Sequence, residues 1–174
     1  MTPFEIAREK YKPEIIRYLL IAETPPKSTY NRFFYFENVD KQDSLFIETI
    51  KVLYPNEIKN FTTPEIRKVK GMFLEKFKND GFYLIDSLDI PFEERYSPSQ
   101  KVNLLKLGQV DLLKKIKALV NSKTEIILIS ATVYSANYFF LKQNGVNLLN
   151  SESIDFPGFG GQKKFRYKMG KIIK

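Results

Sequence analysis

Two acidic residues each close a short apolar run: Glu23 follows "LLIA" and Asp86 follows "FYLI". A carboxylate in such a position can orient or deprotonate a water, steady a developing cation, or accept hydrogen bonds from a bound base. A third stretch, "DFPGFGGQ", is a glycine-rich loop that leads into "QKKFRYKMGKIIK". That block holds Lys163, Lys164, Arg166, Lys168, Lys171 and Lys174 and no acid. Glycines let backbone N–H groups approach phosphate closely, and a block of cations without acids suits a phosphate-rich nucleic acid. Each feature also has a plain structural counterpart. Glu23 could cap a turn over Lys27–Tyr30, Asp86 could cap the loop before Pro91, and the basic block could be a solvated tail.

The absent residue types narrow the chemistry. The chain has no Cys and no His. Thiolate nucleophiles, disulfides, cysteine zinc sites and imidazole acid–base catalysis are therefore excluded. What remains is carboxylates, hydroxyls, lysine, arginine and backbone dipoles. Glu23 with Asp86 is too small a set to argue for a metal, and no cofactor is expected. A formal charge of +8 favours an anionic partner. No apolar run is long enough to span a bilayer, and Glu5, Arg8, Glu9 and Lys10 break any leader-like segment. A cytoplasmic monomer without membrane contact is the expectation.

These groups need a frame to position them. Thr2, Pro3 and Glu5 predict a capped helix, and "IIRYLLIA" predicts a strand buried on both faces. "DSLFIETIKVLYP" reads as a helix capped by Asp43 or Ser44. A further helix is expected from Thr63 as cap to Gly81, with Ile66, Val69, Phe73 and Phe77 in the core. "FYLIDSL" is a second strand, and "SQKVNLLKLGQVDLLKKIKALVNS" a helix with a break at Gly108. "EIILIS" makes a third strand, the next helix closes at Gly145, "VNLLN" makes a fourth strand, and the basic block makes the last helix. The alternation predicts one α/β domain over residues 1–174, a three-layer α/β/α sandwich around a mostly parallel four-stranded sheet. Ligands of such sheets bind outside the carboxyl ends of the strands, which puts Glu23, Asp86 and the loop after Asn150 on one rim.

This constellation resembles the uracil-DNA glycosylase superfamily. "IAETPP" is similar to the family's first motif, with Ala22 in place of a glycine, Glu23 as the acid and Pro25 in the turn. "RFFYF" matches the region of the ring that stacks on a flipped base, with Phe34 chosen over Phe33 and Phe36. Asp86 falls where several branches keep a base-reading Asn, and "DFPGFGG" aligns Phe156 with the motif histidine, Pro157 with its proline and Phe159 with the apolar wedge. The departures are the missing histidine, Asp for Asn and the lost glycines. The resemblance therefore implies kinship of fold more strongly than uracil excision.

On that resemblance Glu23 is the catalytic carboxylate, and Ala22, Pro25, Phe34, Asp86 and Pro157 form the base pocket. Phe159, Gly160, Lys163, Lys164, Arg166 and Lys168 contact DNA. An ionised Asp86 only accepts hydrogen bonds, so a base carrying an amino group would suit it better than uracil. The alternatives are a catalytically silent module of the same fold that binds nucleic acid or nucleotides, and a phosphate-binding enzyme that uses the glycine loop on a small nucleotide.

Overall fold

The computed structural model describes residues 1–173. Three strands, β1 (Tyr18–Ala22), β2 (Phe82–Asp86) and β3 (Glu125–Leu128), form a parallel sheet in the order β2-β1-β3. Leu20 of β1 pairs with Leu84 and Ile127, and Ala22 is in register with Asp86. Successive side chains point to opposite faces, and those of Leu19 through Ala22 and Phe82 through Asp86 are all buried. Both faces of the sheet are therefore covered, which is why these strands read as unbroken apolar runs.

The first helix, α1 (Pro3–Lys10), begins with a capping box in which Thr2 and Glu5 satisfy each other's backbone N–H groups. Helix α2 (Ser44–Leu53) lacks a side-chain cap, because Asp43 turns inward instead. There it takes Arg67 at 2.8 Å and lies 3.7 Å from the Lys70 ammonium. The single helix expected over residues 63–80 is two, α3 (Thr63–Lys68) and α4 (Lys70–Asn79), divided where Val69 leaves helical geometry at φ −112°. Its cap is Thr62 rather than Thr63, since only Thr62 completes a box with Glu65. Helices α5 (Pro98–Leu107) and α6 (Gln109–Leu119) break at Gly108, α7 (Ala131–Gln143) follows β3, and α8 (Gln162–Ile172) is the basic segment. None of these helices is long and apolar enough to cross a membrane.

The fourth strand predicted at "VNLLN" does not form. Only isolated parallel bridges, Ile126 to Leu148 and Ile129 to Ile154, lie beside β3. Between them the Asn150 carboxamide accepts from Leu128 N–H at 3.0 Å and donates to its carbonyl at 3.2 Å. One side chain thus occupies the position of a strand's backbone. The opposite edge is closed in a similar way. The buried Tyr35 hydroxyl accepts from Leu84 N–H at 2.7 Å and donates to its carbonyl at 3.1 Å, so β2 offers no free ladder at that point.

Candidate functional site

The carboxyl ends of the strands bring the three predicted loops to one side of the sheet. Glu23 directly follows β1, Asp86 ends β2 opposite Ala22, and Ile154 draws the glycine loop alongside the end of β3. The first two loops are tied to each other. Ala22 C=O accepts from both the N–H and the hydroxyl of Ser87, at 2.8 and 2.9 Å, and Glu23 C=O accepts from Leu88 N–H at 3.1 Å. Farther out, the Tyr30 hydroxyl donates to Glu94 at 3.0 Å, and Lys27 lies 3.6–3.7 Å from Glu93 and Glu94.

The Glu23 carboxylate is half-buried and makes no hydrogen bond or ion pair with any described residue. The turn over Lys27–Tyr30 closes through its own backbone bond of 2.9 Å, with no part taken by Glu23. Asp86 is different. It is only 3% exposed and its carboxylate is bonded to the guanidinium of Arg8, which α1 carries over from the other side of the loop. Burial pushes the Asp86 carboxyl up to about 6, and Arg8 opposes that rise. The Arg8 guanidinium also rests 5.4 Å from the centre of the Phe33 ring.

The remaining pocket residues lie inside the protein. Phe34 is buried against Tyr35, Phe46 and Phe77, with ring centres 5.0–5.5 Å apart. Stacking on a base would require that ring to leave the core. Ala22, Pro25 and Pro157 are likewise buried. A cleft of about 390 Å³ opens between α1 and the aromatic segment, where Lys10 and Tyr11 both bond to Glu37. A smaller one of about 250 Å³ lies at the amino end of β1. The lining of neither includes Glu23 or Asp86. Among the described residues no cluster of acidic side chains is gathered in the way a metal ion needs.

The basic segment divides into two faces. Phe165 and Met169 anchor α8 in the core. Arg166 is bonded to the buried Glu48 of α2, and Lys168 bonds to Ser153 C=O at 2.8 Å and to Asp155 at 2.9 Å. That bond to Lys168 holds the Asp155 carboxyl below its ordinary range. These two cations fasten the helix. Lys163, Lys164, Tyr167 and Lys171 face solvent, and the Lys171 ammonium sits 4.1 Å from the centre of the Tyr167 ring.

Ahead of the helix, Gly161 N–H bonds to Gly158 C=O at 3.1 Å and closes a tight turn with Phe159 at its tip. Gly160 has φ +73°, the conformation a type II turn requires at its third position. A side chain at Gly161 would place Cβ 2.2 Å from Phe156 C=O. The Phe159 ring is fully exposed and does not fold back onto α8.

Sequence reasoning did not find Arg8, since nothing local marks which helix will deliver a cation to a distant carboxylate. It also passed over Ser130, which lies two residues beyond β3 on the same rim at φ +87°. Few residues other than glycine adopt that backbone, and Ser130 is held there as the cap of α7 by a 3.1 Å bond from Val133 N–H to its hydroxyl. Tyr167 went unremarked because its partner is a lysine one helical turn away. Neither a protein-family model, nor a curated protein, nor a solved structure matches the chain.

Proposed function

We propose that this chain is a DNA-binding protein with a divergent uracil-DNA glycosylase-like fold, and that the glycine turn and outer face of α8 form its binding surface. The observation that carries the reading is a fully exposed ring at the tip of a hydrogen-bonded turn, set beside solvent-facing lysines that form no ion pair with any described acid. An exposed ring gains nothing from water, and unpaired lysines raise the local concentration of a polyanion. Support for the fold comes from a parallel sheet in which an acid follows β1, another ends β2 in register, and a glycine loop runs beside β3. Arg166 and Lys168 belong to the scaffold of this surface rather than to its contacts, because Arg166 already serves the buried Glu48 and Lys168 the partly exposed Asp155.

A second reading, N-glycosidase activity, is favoured by Glu23 alone. Its side chain is on the rim, half-buried and without a hydrogen-bond or ion-pair partner among the described residues, which leaves it free to accept from a water. In that reading Asp86 meets a base only after Arg8 releases it. Electrophoretic measurement of DNA binding across a salt series tests the first reading. Affinity that is absent at low salt would refute it. Formation of alkali-labile abasic sites by the wild-type protein, lost in Glu23→Gln, tests the second.

A further inference from the structure

The outer face of α8 carries two kinds of group that separate single strands from duplex. Lysines attract phosphates of either form. Aromatic faces gain a stacking partner only where a base is unpaired, because duplex bases already cover one another. This surface offers two rings, Phe159 on its turn and Tyr167 on the helix, bordered by Lys163, Lys164 and Lys171. One face of Tyr167 is backed by the Lys171 ammonium, which places the charge close to where a stacked nucleotide's phosphate would run. Neither ring is needed inside: Phe159 is fully exposed and Tyr167 is 65% exposed, while Phe165 and Met169 do the packing.

The turn also limits how a strand can approach. Phe159 is flanked by Gly158 and Gly160, so no side chain stands on either side of the ring. The backbone bond across the turn, Gly161 N–H to Gly158 C=O, sets the point at which Phe159 leaves the surface. From this arrangement we infer that the surface selects single-stranded DNA, reading it through base stacking on Phe159 and Tyr167 and holding it through Lys163, Lys164 and Lys171. The inference rests on the DNA-binding reading above and narrows it to one form of the polymer.

The test measures fluorescence anisotropy of a labelled mixed-sequence oligonucleotide, alone and annealed to its complement, over a range of salt. The single strand is expected to bind at least about tenfold more tightly than the duplex, the scale of one stacked base. Phe159→Ala with Tyr167→Ala should abolish that gap and leave the salt dependence intact. Lys163→Gln with Lys164→Gln should weaken both forms and lower the salt slope by about 0.7 per lysine for the single strand. Equal affinity for the two forms, or preference for duplex, overturns the inference while leaving DNA binding in place. Binding of neither form at low salt overturns the DNA-binding reading itself. All four positions are largely solvent-facing, and circular dichroism of each variant confirms that the fold is kept.

Discussion

The guanidinium of Arg8, on the first helix, is bonded to the carboxylate of Asp86, at the end of the second strand, across 78 residues of sequence. Helix α1 has no fully buried residue. It is held by this pair, by the Phe4 ring against Phe33 and Phe36 at 4.9 and 5.6 Å, and by Lys10 on Glu37. Asp86 gains a cation that its burial demands, and α1 gains its deepest attachment. The same bond shields an acid on the rim whose proton affinity burial has raised.

Arg8→Gln should therefore loosen α1 and raise the Asp86 carboxyl beyond its present value near 6. Carbon NMR of the carboxyl region follows the titration. A buried carboxylate left without its cation should cost about 3 kcal/mol at neutral pH. In the wild type the folded value lies above the ordinary 3.8, so the folded state holds a proton that the unfolded chain has released. The contribution of Asp86 is fully present below 3.8 and is lost as pH rises through about 6. Denaturant titrations of Asp86→Asn should lack that part of the pH dependence, and an unchanged profile would show that Asp86 does not control it.

Lys70 gives a dependence of opposite sign. It is almost wholly enclosed by α2 and α4, with its ammonium 4.4 Å from the centre of the Phe46 ring, 3.4 Å from Phe33 C=O and 3.7 Å from Asp43. Desolvation draws it down to about 8 from an ordinary 10.5, against the pull of Asp43, while Arg67 adds to the lowering. Its folded value lies below its unfolded one, so its contribution is present above 10.5 and lost as pH falls through about 8. Lys70→Met should stabilise the protein at neutral pH by up to about 3 kcal/mol, since Asp43 keeps Arg67. Urea unfolding at pH 7 and pH 10 checks it: the gain should shrink at the higher pH.

The two sheet edges allow a direct comparison. Asn150→Asp retains an acceptor for Leu128 N–H but sets a carboxylate against the carbonyls of Leu128 and Glu152, which the Asn150 amide now serves. It should cost more than Asn150→Ala, which leaves the same groups unpaired at about 1–3 kcal/mol each. Tyr35→Phe removes both bonds to Leu84 and should fall in the same range. Hydrogen exchange at Leu128 and at Leu84 should accelerate in the respective variants and not in each other.

What the sequence disclosed was local. The helix starts at Thr2 and Thr62 each pair a hydroxyl with an acid three residues on, although Thr63 was the expected cap. By contrast, the Ser97–Gln100 pair that opens α5 lies two residues ahead of the start expected for that helix. The three strands announced themselves as apolar runs, and the glycines at 81 and 145 close their helices at positive φ. What stayed hidden depends on partners far along the chain. Asn150 replaces a strand through one amide, Glu48 claims Arg166 over 118 residues, and Asp43 leaves its capping role for Arg67 and Lys70. The same limit governs the site. Placement of Glu23 and Asp86 on one rim follows from topology, whereas the burial of Phe34 and the engagement of Asp86 by Arg8 follow from packing that no short motif encodes.

The turn that presents Phe159 can be disturbed without touching its ring or any lysine. At Gly161 a methyl group would meet Phe156 C=O at 2.2 Å, and because that neighbour is backbone the loop itself must move. Gly161→Ala should therefore break the Gly158–Gly161 bond and displace the turn that carries Phe159, while α8 stays docked through Phe165, Met169 and the Arg166–Glu48 pair. By contrast, an alanine at Gly170 meets nothing within 4 Å and serves as a control on the same helix. Single-strand affinity should fall in Gly161→Ala toward that of Phe159→Ala and stay at the wild-type level in Gly170→Ala. If Gly161→Ala binds as tightly as the wild type while crystallography or NMR shows the turn displaced, the placement of Phe159 by this turn is not what holds the strand.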